Sequence, residues 1–165
     1  MRRFALLLGL LVSSVAFAAT AAATPPTVVE FHFEESFDID CGTFLLHEDA
    51  VIDERVITFF DKAGNPTRVQ IYDRFVGVIT NPDGETFRDP GFFNVLIDLA
   101  GTPDDQSDNT VTIAGMFFAI TVPGVGIVAQ DTGLLTFNPD GSVITRGPHE
   151  VFVQGIEPLI CPVLG

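Results

Sequence analysis

Apolar and polar residues alternate with a period of two through most of the chain after residue 27. In "VVEFHFEE", Val29, Phe31 and Phe33 fall on one side and Glu30, His32 and Glu34 on the other, the pattern of a strand with one buried face. "TFLLHED" predicts a short second strand and "VIDERVITFF" a third, closed by the turn signal "KAGNP". "TRVQIYDRFVGVIT" sets Val69, Ile71, Phe75 and Ile79 against Arg68, Gln70, Tyr72 and Arg74. Asp73 and Gly77 share its apolar face, which predicts either a wet interior site or a bulge at Gly77. In "FFNVLIDLAG" the apolar row is Phe93, Val95, Ile97 and Leu99. "TVTIAGMFFAITV" is apolar on both faces, Met116, Phe118 and Ile120 against Val111, Ile113 and Phe117, as in a central strand covered on both sides. "GVGIVAQDTGLLTF" and "SVITRGPHEVF" complete the set.

The tetrapeptide NPDG occurs twice, at Asn81–Gly84 and Asn138–Gly141, each time between apolar runs. Proline sets φ at the first corner, aspartate suits the second, and glycine takes the positive φ that lets a type I turn close through a bulge. The flanks do not align as a repeat, so both copies predict hairpins and neither predicts a duplicated unit.

No segment after the first residues repeats apolar positions at i, i+3, i+4 and i+7 over three capped turns, so the chain is all-β. About eight strands with short connections predict a single antiparallel up-and-down β-barrel; a β-sandwich is the alternative. Cys41 and Cys161, the only two cysteines, are 120 residues apart. Their pairing as a disulfide favours the barrel, because closure brings the first and last strands together.

The first residues change where such a domain is expected to work. Arg2 and Arg3 precede an uncharged apolar stretch from Phe4 to Phe17 and then the small-residue sites Ala16-Phe17-Ala18 and Ala21-Ala22-Ala23. This is the pattern of a secretory signal peptide over 1–23, with cleavage after Ala23 preferred to cleavage after Ala18, and one domain over 24–165. An uncleaved anchor is the alternative, disfavoured by the alanine-rich second half. The expected location is extracellular or at the cell envelope, with no membrane span once the signal is removed.

Removing the leader leaves 6 basic residues against 22 acidic ones, a net charge of −16. Such a surface repels nucleic-acid phosphates and anionic membranes and keeps an exported protein soluble, so no nucleic-acid partner is expected.

Catalytic signatures are scarce. His32, His47 and His149 lack the spacing of a metal-binding helix, and surface or interface roles account for them; no metal or other cofactor is expected. Asp104, Asp105 and Asp108 in "TPDDQSDN" lack the order of a calcium loop. No Gly-x-Ser-x-Gly is present, and Ser36, Ser107 and Ser142 have no neighbouring histidine. What remains is a set of polar side chains that could converge in a barrel interior: Asp73, Asp131, Arg55, Tyr72 and His149. Asp73 and Asp131, each among apolar neighbours, are the first candidates for a perturbed carboxyl.

The stretch "VPGVGIVAQDTGLLTFNPDGSVITRGPHEVF" with the terminal "CPVLG", and "FDIDCGTFLL" upstream, resembles small secreted bacterial proteins of actinobacterial type whose function is unassigned. More distantly this group resembles the eight-stranded barrel of allene oxide cyclase and dirigent proteins. That resemblance implies a ligand-sized interior and no cofactor, and it carries over no catalytic residue. The expectation is therefore a secreted, non-enzymatic barrel that binds a small hydrophobic ligand or a partner surface. An enzyme of the cyclase or isomerase kind acting on a lipid-like substrate, and a structural envelope-associated module, are the alternatives.

Overall fold

The computed structural model describes residues 24–100, 102 and 104–165; the signal segment expected over 1–23 lies outside the described residues. Seven strands form one antiparallel sheet in sequence order: β1 (Thr27–Asp40), β2 (Leu45–Phe60), β3 (Pro66–Thr80), β4 (Thr86–Asp98), β5 (Thr110–Val122), β6 (Gly126–Phe137) and β7 (Val143–Arg146). Two helices follow, α1 (Glu150–Gln154) and α2 (Glu157–Leu164), and a 3-10 turn, Gln106–Asp108, precedes β5.

The all-β reading and the up-and-down order hold, but the sheet does not close. Among the described residues β1 pairs only with β2 and β7 only with β6. The barrel needed a last strand long enough to reach β1. β7 has four residues, and the segment after it, expected to be strand as far as Phe152, turns helical at Glu150. The strand count falls for a second reason: "TFLLHED" and "VIDERVITFF" are one continuous strand, β2. Glu48 keeps the alternation through the supposed break, because it points inward with Leu46 and Ala50.

Both NPDG segments are hairpin turns of the expected kind. Gly84 and Gly141 have φ of 82° and 81°, and each donates its N–H to the carbonyl of the asparagine three residues earlier at 2.9 Å. They differ in surroundings. Asn138 is half-buried, whereas Asn81 is buried and its side-chain amide donates to the carbonyl of Leu164 at 3.0 Å.

That bond belongs to the core. At one end of the sheet the inward residues Ile39, Leu46, Ile79, Phe87, Ile120 and Ala129 form a buried cluster with Ile160 and Leu164 of α2. The Cys41–Cys161 disulfide ties the end of β1 to this helix, with Cα atoms 5.5 Å apart. So the end-to-end cysteine pair joins strand to helix, and α2 plugs one end of a curled sheet where the barrel reading required strand pairing.

Two ladder irregularities shape the other inward positions. β5 carries a bulge between Met116 and Phe118, which changes the facing of the strand: Val111 and Ile113 before it and Phe118 and Ile120 after it lie in one inward row. The expected division of β5 into two faces is corrected accordingly. The β4–β5 ladder runs only from Phe92↔Met116 to Asp98↔Thr110, so Thr86–Gly91 is unpaired on that side. Across the gap the Asp89 carboxylate accepts the Ala119 N–H at 3.2 Å, a side chain standing in for the missing backbone bond.

Candidate functional site

The inward faces of β2 to β6 line a trough, and beyond the α2 plug it holds a cavity of about 390 Å³. Its walls are Ile52, Phe75, Phe93, Ile113, Phe117, Phe118 and Leu135, with Val151 and Phe152 of α1 on one side. The β5 bulge is what brings two consecutive phenyl rings to the same cavity. Phe117 meets Phe93 edge-on at 5.3 Å between centroids, and Phe118 meets Phe75 at 6.1 Å. Gly91 leaves room for Phe75 to lie across β4, since a Cβ there would fall within the ring.

Two carboxyls interrupt this apolar lining, Asp73 on β3 and Asp131 on β6. Asp131 is 3 % exposed. Its Oδ2 accepts the N–H of Phe152 at 2.9 Å, serving as the N-terminal cap that α1 lacks from its own residues. Its Oδ1 lies 3.6 Å from Nδ1 of His149, and neither atom has a hydrogen-bond partner although both are buried. His149 is itself 5 % exposed, stacked on Phe117, with Nε2 3.2 Å from the carbonyl of Arg146.

A carbonyl only accepts, so Nε2 carries the proton of that bond. With Nε2 donating there, Nδ1 faces Oδ1 across 3.6 Å without a hydrogen bond between them. Burial raises the Asp131 carboxyl above the usual range, opposed by the Phe152 N–H, by the neighbouring imidazole and by the Val151 N–H, with Glu150 adding to the rise. Asp131 and His149 thus form a buried, under-bonded pair, with Asp131 on the cavity wall.

Asp73 is half-buried and also raised, first by burial and then by Glu54, its cross-strand partner in the same row. It arises from alternation alone: the β2–β3 register is unbroken through Gly77, so the bulge expected there is absent. Gly77 has another use. Glu48 lies over it, and Glu48 and Asp89 form a second inward carboxyl pair, 2 % and 0 % exposed. Burial, then the charge of Asp89, pushes Glu48 up to about 7; burial pushes Asp89 up to about 6, opposed by the Ala119 N–H. Neither was among the sequence candidates, although the two-residue period that places Leu46 and Phe87 inward also places them.

The five sequence candidates divide. Asp73, Asp131 and His149 belong to the trough. Arg55 and Tyr72 are cross-strand partners in the alternate row and line a second hollow of about 400 Å³ with His32 and Arg74; it shares Asp73 and Phe93 with the cavity but does not reach Asp131. Arg55 Nε is 3.9 Å from Glu30, and the Tyr72 hydroxyl accepts from Gln70 at 2.8 Å. His32 and His47 are exposed and face Asp53 and Asp38, both at 2.7 Å. Among the described residues no three His, Cys, Asp or Glu side chains converge as metal ligands would. In the acidic loop Asp105 caps Ser107 and Asp108 bonds Thr102, so both serve their own turn.

No protein-family model, curated protein or solved structure matches the chain.

Proposed function

We propose that the protein is an exported, non-enzymatic binder of a small, largely apolar ligand that carries one hydrogen-bonding group. The observation that carries this reading is a phenylalanine-lined cavity of about 390 Å³ with the under-bonded Asp131 carboxyl in its wall. The volume lies within the range of small-molecule sites, about 300–1,000 Å³. A ligand hydroxyl or amide donating to Asp131 would satisfy the orphaned oxygen while its carbon skeleton lies against Phe75, Phe93 and Phe118. The disulfide supports an oxidising destination, and no described helix is long and apolar enough to cross a membrane.

Native mass spectrometry of the mature protein from its own medium, with long-chain alcohols and fatty acids added in turn, tests the binding. Retained apolar adducts that are lost in Phe118→Asp and weakened about tenfold in Asp131→Ala support it. Adducts indifferent to both changes overturn it. The mass of the exported chain also reports whether it starts at Thr24.

A second reading rests on one specific observation, the buried approach of His149 Nδ1 to Asp131 Oδ1 at 3.6 Å, with neither atom hydrogen-bonded. That pair could deliver and withdraw a proton at a bound substrate, as a cyclase or isomerase requires. Solvent-deuterium incorporation into a bound ligand, abolished by His149→Phe, would establish turnover in place of storage.

A further inference from the structure

Open sheets leave edges, and the two edges of this one are unequal. β7 presents four residues, whereas β1 presents fourteen, paired among the described residues on one side only. Its register with β2 runs without a bulge from Thr27↔Thr58 to Asp40↔Leu45, and the strand contains no proline. It therefore lacks two of the devices by which exposed edges are made unfit for pairing. α2 and the disulfide cover only its last residues, and Ile39 is the single buried position. Upstream the inward row is open, and apolar but for Glu35: Val29, Phe31, Phe33 and Phe37 are 49 %, 48 %, 37 % and 47 % exposed.

The charge on the strand selects among occupants. Glu30, Glu34, Glu35, Asp38 and Asp40 sit on β1 without a lysine or arginine. Arg55 of β2 reaches Glu30 and His47 reaches Asp38, but among the described residues no basic side chain lies within ion-pair distance of Glu34 or Glu35. A second copy would bring the same acids against these, on a chain whose formal charge is −14.

We propose that β1, over Thr27–Asp38, accepts an extended segment of a partner protein as an eighth strand, one that alternates apolar residues with lysine or arginine. Its apolar row lies beside Phe31 and Phe33, and its basic row beside Glu30, Glu34 and Asp38. The backbone groups along the open edge supply the affinity, and the two side-chain rows supply the selection.

A synthetic peptide of about ten residues alternating valine and lysine, set against one alternating valine and glutamate, tests this on the disulfide-bonded protein. The basic peptide is expected to bind at least about tenfold more tightly at low salt, with the difference shrinking as salt rises. Amide exchange should slow along Thr27–Asp38. Phe33→Lys should abolish binding, and Glu34→Lys, an exposed change that leaves the sheet intact, should erase the preference for the basic peptide. Equal binding of both peptides, or protection confined to other strands, overturns the proposal. So does a dimer in sedimentation that Phe33→Lys dissociates, or vesicle binding lost in the same variant, since either assigns the edge to another occupant.

Discussion

The Glu48 carboxyl occupies the space that a Cβ on Gly77 would fill, with the backbone carbonyl of Asp89 beside it. An acidic side chain is thus folded onto its neighbouring strand in the interior, and a glycine is what admits it. Gly77→Ala forces the carboxyl out and should cost about 1–3 kcal/mol in chemical denaturation. Combined with Glu48→Ala the loss should be far less than additive, because the colliding group is gone.

The same pair sets an unusual pH dependence. Glu48 and Asp89 are raised in the folded state, to about 7 and about 6, so between pH 4 and 7 the folded chain binds more protons than the unfolded one. Stability therefore falls as pH rises through this window. Asp73 and Asp131 shift in the same direction and add to the slope. Asp61, Asp105 and Asp140 are lowered by their turn hydrogen bonds and oppose it only in acid, where they become protonated. Denaturation midpoints should be higher at pH 5 than at pH 8, and Glu48→Gln with Asp89→Asn should flatten that difference.

The two asparagines of the repeated turn should behave differently. Asn81→Ala removes the amide bond to Leu164 and an acceptor for the Glu85 N–H in a buried setting, and should cost about 1–3 kcal/mol. Asn138→Ala removes only an exposed bond to Ser142 and should cost below about 1 kcal/mol. Urea midpoints of the two variants make the comparison.

Cys41→Ser with Cys161→Ser should lower stability by about 2–5 kcal/mol, since the bond closes a separation of 120 residues. Alkylation of the untreated protein should label no thiol.

Alternation made most of the sheet legible, because one face of β1 to β6 turns toward the trough and the period of two survives the twist. It failed where the inward residue was polar: the expected second strand was ended just after Glu48, at Asp49, and β2 was divided there. It failed at Phe117, where one extra residue reverses the facing of β5 and no local composition announces it. α2 was invisible to periodicity because eight residues, two of them proline, are too few to display a helical repeat. Closure was expected from the Cys41–Cys161 pair, but that pair brings the chain ends together through α2 without pairing the edge strands. Asp131 and His149 were named in one set of five polar side chains, with nothing in the sequence to pair these two in preference to the others. Their meeting depends on the turn at Arg146–Pro148 that folds the helical segment back over β6.

The position of α2 has a consequence for the order of events during synthesis. Ile160 and Leu164 complete the cluster that Ile39 and Leu46 begin. Hairpins made before α2 is synthesised cannot seal their common end, nor bring Cys161 to Cys41. The growing sheet therefore passes through a stage in which that end is open to other chains.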